Sequence, residues 1–148
     1  MKNNKFIGPV YKESEAFILA NLYKKNNQSI LYIGKDDIEI NSVENILKWL
    51  LPNDLIFNFR SWDQIPYDSV SPSNEIQSER IKTLYGLHAN KRQKIIISTV
   101  NAILQRTVNI NFLKNNFIKI VLNQKINFNK FINKLILLGY QRTSVVRE

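Results

Sequence analysis

The chain has 148 residues, 44% of them hydrophobic, which suffices for one domain or one plus a fragment and falls short of a whole two-lobed motor. It contains no cysteine and a single histidine, His88, so disulfides and thiolate catalysis are excluded and little remains for a zinc site. A formal net charge of +9 favours polyanionic or acidic partners through long-range attraction, but the lysines are scattered and no basic run interleaved with aromatics stands out.

Met1 to Lys5 leads into Phe6-Ile7-Gly8-Pro9 rather than a signal-peptide core, and no apolar run approaches the roughly 20 residues that span a bilayer. A soluble chain with no membrane partner is expected, and the absence of cysteine is compatible with a reducing cytoplasm. Ser14 can cap a first helix, with Glu15 placed favourably in its positive first turn and Ala16 to Tyr23 apolar on most sides. Ile30 to Ile33, ending at Gly34, reads as a central parallel strand covered on both faces. Asn41 and Glu44 have capping-box spacing, and Val43, Ile46, Leu47, Leu50 and Leu51 then recur at helical intervals up to Pro52. A second strand is expected over Leu55 to Phe59.

Asn74 and Gln77 again have capping-box spacing, and Ile81, Leu84, Tyr85 and His88 keep one face of a helix to about Ala89. Lys94 to Thr99, centred on Ile95-Ile96-Ile97, is the third strong strand. This alternation predicts an α/β fold: a three-layer parallel sheet with helices on both faces. After Arg106 the texture changes to an Asn-rich connection, then a strand over Phe117 to Leu122. A helix carrying Phe128, Phe131, Ile132, Leu135 and Leu138 follows, with a left-handed stop at Gly139 and a last strand from Tyr140. Residues 1–107 are therefore expected to form one α/β lobe, and 108–148 the incomplete beginning of a small α+β domain whose partner strand is missing or supplied from elsewhere.

Between the second strand and the third helix lies Trp62-Asp63-Gln64-Ile65-Pro66-Tyr67-Asp68-Ser69-Val70-Ser71-Pro72, followed by Ile76, Ser78, Arg80, Thr83 and Leu84 at fixed spacing. This strand, loop and helix resemble the amino-terminal, excinuclease-B-like module of the bacterial transcription-repair coupling factor, and a weaker likeness extends from Ile7 to about Val146. The resemblance implies a sheet of degenerate helicase or P-loop NTPase type, followed by the start of an adaptor domain that binds excinuclease A. It also implies a role in transcription-coupled nucleotide excision repair. Contact with RNA polymerase and DNA would fall to the rest of the intact protein, whose ATP-driven motor lies outside this chain.

The residues themselves disfavour a nucleotide site. Where a phosphate loop would read Gly-x-x-x-x-Gly-Lys-Ser/Thr, the chain reads Gly8-Pro9-Val10-Tyr11-Lys12-Glu13-Ser14-Glu15, with Glu13 at the second glycine and Ser14 at the lysine. A carboxylate about 4 Å from a phosphate costs on the order of 4 kcal/mol at an effective dielectric near 20. Ile95 to Ile103 lacks the Asp-Glu pair that would hold magnesium. No cofactor, metal or catalytic residue is expected, and this chain is not read as an enzyme.

Two sets of residues remain as candidate contacts. Trp62 and Tyr67 could stack on exposed bases in a basic single- or double-stranded DNA-binding module, or anchor the loop against the sheet edge. Gly139-Tyr140-Gln141-Arg142 resembles the family segment that contacts excinuclease A, which implies protein binding through Arg142 and Tyr140; an exposed strand arginine is the plainer alternative. Asp63, Asp68 and Glu75 read as turn and helix-start carboxylates, and Arg80 and Arg106 as cations that could hold the loop through carboxylates such as Asp68.

Overall fold

The computed structural model describes residues 6–11, 14–53, 55–64 and 71–143. Its backbone divides into two compact units, Met1–Ile110 and Asn111–Glu148.

The first unit is α/β. Helix α1 spans Ser14–Asn26, strand β1 Ile30–Gly34, helix α2 Asp37–Leu50, strand β2 Leu55–Phe59, helix α3 Asn74–Ala89, strand β3 Lys94–Thr99 and the short helix α4 Val100–Leu104. The three strands are parallel in the order β1-β3-β2, with Ile30 opposite Ile95 and Ile56 opposite the same Ile95. Central position thus belongs to β3, and β1 is an edge strand, contrary to the expectation for Ile30 to Ile33. The reason lies in the burial alternation: Leu31 and Ile33 are 54% and 49% exposed, whereas Ile95 and Ile97 are fully buried. A continuous apolar run does not distinguish a doubly covered strand from an edge strand with one open face.

One face of the sheet carries Ile30, Tyr32, Ile56, Ile95 and Ile97, and α1 and α2 close over it with Ala16, Leu19, Ala20, Tyr23, Ile40, Val43 and Leu47. This is the core. On the opposite face α3 lies over β2: the Thr83 hydroxyl donates to the Asn58 carbonyl, and Gly86 meets the Phe57 ring. Helices therefore do occupy both faces, but the second face is covered on the β2 side and leaves Leu31 and Ile33 open on the other.

Two helix starts differ from the expected caps. In α2 the cap is Asp36, whose carboxylate accepts from Glu39 N–H at 2.9 Å, five residues ahead of Asn41. In α3 it is Ser73, whose hydroxyl accepts from Ile76 N–H, one residue ahead of Asn74. Competing Asx and Ser caps a few residues apart look alike in sequence, and the chain entry angle decides between them.

Helix α5, Ile110–Asn116, replaces part of the expected polar connection at the boundary, and α6 spans Phe128–Leu137 in the second unit. Neither expected strand of that unit, Phe117 to Leu122 or the one from Tyr140, occurs among the described residues. An apolar hexapeptide becomes a strand only when a neighbour satisfies its amides and carbonyls, and none among the described residues pairs with it. The stop at Gly139 is as expected, with φ +93°.

Candidate functional site

At the amino end of α1, where a phosphate cradle would lie, the structure gathers acidic and phenolic oxygens. Tyr32 on β1 donates its hydroxyl towards Glu15 in the first turn of α1 and lies 2.7 Å from Glu39 Oε1 on α2. Burial, then the hydrogen bonds to the two carboxylates, hold the Tyr32 phenol far above its ordinary range, so it stays protonated. Glu39 also accepts from Lys35 N–H at 3.3 Å. Beside them opens a cavity of about 470 Å³ walled by Ile7, Val10, Ile18, Leu19 and Leu22. Lys12 and Glu13 lie outside the described residues. Two carboxylates sharing one phenol make this end of α1 inhospitable to a triphosphate, since the helix dipole is already answered by Glu15.

The motif between β2 and α3 folds around Arg80. Its guanidinium stands 4.2 Å from the ring centroids of both Phe59 and Trp62, and Arg80 as a whole is 2% exposed. Nη1 donates to the Arg60 carbonyl and to Gln105 Oε1, which also accepts from Trp62 N–H at 2.9 Å. Among the described residues no carboxylate reaches it, and Nη2 has no partner; desolvation accordingly draws its pKa below the ordinary arginine value. Both oxygens of Asp63 accept from Ser73 N–H, which ties the two ends of the loop. The Ser73 side chain first, and its N–H after that, hold the Asp63 carboxyl below the usual range. Gln77 donates to the Pro72 carbonyl at 2.7 Å. Each of these motif side chains is engaged within the unit.

For the sequence candidates the consequences are specific. The Trp62 ring carries Arg80 on its face. Tyr67 and Asp68 lie outside the described residues, and Arg106 is exposed. Glu75 sits exposed in the first turn of α3, as a dipole partner would. The Glu15–Tyr32–Glu39 cluster was not legible as a unit, because nothing in spacing alone shows that β1 delivers a phenol between two helix starts.

In the second unit, α6 ends in a Schellman motif: Gly139 N–H donates to the Ile136 carbonyl at 3.0 Å and Tyr140 N–H to the Leu135 carbonyl at 3.1 Å. This pair of hydrogen bonds fixes Tyr140 immediately past the helix. The ring, 65% exposed, borders a groove of about 330 Å³ with Phe117, Ile118, Ile120, Phe131 and Leu135. Arg142 is exposed two residues further on. Tyr140 thus borders an apolar groove, and Arg142 follows it two residues along the chain; an aromatic and a planar cation are residue types that can anchor a protein partner.

Among the described residues no group of three or more potential ligands could hold a metal ion, and no helix is long and apolar enough to cross a membrane. No family model matches the chain. A transcription-repair-coupling factor of Rickettsia bellii is 26% identical over 128 residues, covering 86% of this chain and 11% of that protein. Proteins of the same name from Haemophilus influenzae and Staphylococcus aureus are 24% and 23% identical, over 99% and 97% of this chain. The chain spans about an eighth of the length of these curated relatives, at 11% to 13% of each.

Proposed function

Starting from a chain whose curated relatives carry the name of the transcription-repair coupling factor, we propose that it is a non-catalytic docking module of that repair system. In this reading residues 1–107 form a degenerate helicase-like lobe, and residues 108–148 begin a small adaptor domain that binds excinuclease A. Recognition of stalled RNA polymerase and ATP-driven translocation on DNA belong to the remainder of an intact coupling factor, and the module acts in the cytoplasm during transcription-coupled nucleotide excision repair.

The observation that carries the reading is the Tyr140–Arg142 corner. A capped helix end holds an exposed aromatic against an apolar groove, with an exposed arginine two residues beyond it. Buried aromatic and arginine anchors are the residue types that dominate protein interfaces, and a planar guanidinium pairs bidentately with carboxylates. The acidic amino end of α1 supports the non-catalytic part, because Glu15 and Glu39 stand where nucleotide phosphates would need donors.

Capture of purified excinuclease A on the immobilised chain tests the assignment. Arg142→Ala should reduce capture at least tenfold, corresponding to the roughly 1.4 kcal/mol or more that truncating an interface anchor costs. Equal capture by both forms would remove Arg142 from the interface.

A further inference from the structure

The charge of this chain is divided unevenly. Between Glu79 and Glu148 there is no aspartate or glutamate, while thirteen lysines and arginines occur there; the first 79 residues hold eleven acids against eight lysines and arginines. The fold concentrates part of this excess. Gln93, just before β3, donates its side-chain amide to the Tyr23 carbonyl at 2.6 Å and the Gln28 carbonyl at 3.0 Å, and Tyr23 returns a bond from its hydroxyl to the Gln93 carbonyl at 3.1 Å. The end of α1 is thereby laced to the turn between α3 and β3. Lys24 and Lys25 on one side meet Lys91 and Arg92 on the other, all four exposed and none in an ion pair among the described residues.

Helix polarity explains only half of this cluster. Lys24 and Lys25 occupy the last turn of α1, where cations answer the negative end of the dipole. Lys91 and Arg92 lie beyond the α3 cap at Asn90, and at that helix end the dipole is already answered by Lys94, whose ammonium donates to the carbonyls of Leu87 and Asn90. The neighbours are amides: Asn26, Asn27, Gln28 and Asn90. No large apolar side chain between residues 24 and 29 or between 88 and 93 is exposed, so the patch offers neither an insertion wedge for a lipid surface nor an anchor for a protein interface.

We propose that the end of the sheet where β1 and β3 begin is a nucleic-acid backbone surface, in which Lys24, Lys25, Lys91 and Arg92 contact successive phosphates without reading sequence. Cations flanked by side-chain amides are the groups that make such contacts. This surface lies where the strands begin, whereas Trp62 follows the end of β2.

Fluorescence anisotropy with a labelled duplex of about 20 base pairs provides the test, since four neutralised phosphates give a salt slope of about −3.6 in log K against log salt. Raising salt from about 50 to about 200 mM should weaken wild-type binding about 150-fold, and the Lys91→Gln/Arg92→Gln variant only about 12-fold. Lys130→Gln/Lys134→Gln, which removes the same charge from the exposed side of α6, should retain the wild-type slope. Thermal melts of all three should coincide, as none of the substituted side chains makes an internal hydrogen bond among the described residues. Equal loss in both variants would mean diffuse net charge, and an unchanged slope in Lys91→Gln/Arg92→Gln would mean no contact there. Either overturns the proposal, as would binding to phosphatidylserine vesicles or polyglutamate as tight as to the duplex.

Discussion

Arg80 is held inside the fold by contacts among which, for the described residues, there is no carboxylate. Its guanidinium lies against two ring faces and donates to a carbonyl and an amide oxygen, so π electrons and neutral dipoles help to hold the charge. The expected carboxylate partner, Asp68, lies outside the described residues, whereas the Phe59 and Trp62 faces, which no linear pattern displays, converge on Arg80 only once β2 and α3 are packed. Arg80→Ala should cost about 3 kcal/mol in urea unfolding, combining lost desolvated cation–π contacts with orphaned acceptors. Arg80→Lys should recover less than half of that, because a point charge cannot lie flat against two rings.

Among elements, the strands were the most legible: Ile30–Gly34, Leu55–Phe59 and Lys94–Thr99 are short β-branched and aromatic runs bounded by turn residues. Their order was not, since it depends on which neighbour each strand meets and apolar runs carry no address. Helix starts were misplaced by one residue in α3 and by five in α2, where two cap-competent residues compete. In the second unit the α6 periodicity and its Gly139 stop were readable, whereas the apolar stretch after Phe117 resembled a strand but has no pairing partner among the described residues. A further constraint was invisible from sequence: Gly86, mid-helix in α3, is where Phe57 packs against the backbone, and a Cβ would lie 2.5 Å from its ring. Gly86→Ala should therefore destabilise by about 1 kcal/mol in thermal or urea melts, even though alanine favours the helix by about that amount, because overpacking outweighs propensity.

At the scale of the whole molecule, burial is graded steeply. β3 is flanked by strands on both sides and contributes Ile95, Ile97, Ser98 and Thr99 at 3% exposure or less, while α6 contains no buried residue. Hydrogen exchange followed by mass spectrometry should find the slowest amides in Lys94–Thr99 and exchange at least a hundredfold faster across Phe128–Leu137, since local opening follows buried contact. Uniform protection across both segments would contradict that gradient. Candidate sites were legible to the same extent as their surroundings: the Gly139 turn and Arg142 could be picked out from residue types, but the Glu15–Tyr32–Glu39 cluster and the cations flanking Gln93 arise from chain segments far apart in sequence.

Among the described residues the sheet ends at β1 and β2, and the β1 rim combines main-chain groups, paired by no further strand, with the exposed side chains of Leu31 and Ile33. Such a rim is a mould that any extended apolar segment can copy, including one from an identical neighbour. The isolated polypeptide should accordingly stay dispersed when dilute and self-associate when concentrated, and Ile33→Lys should suppress that self-association.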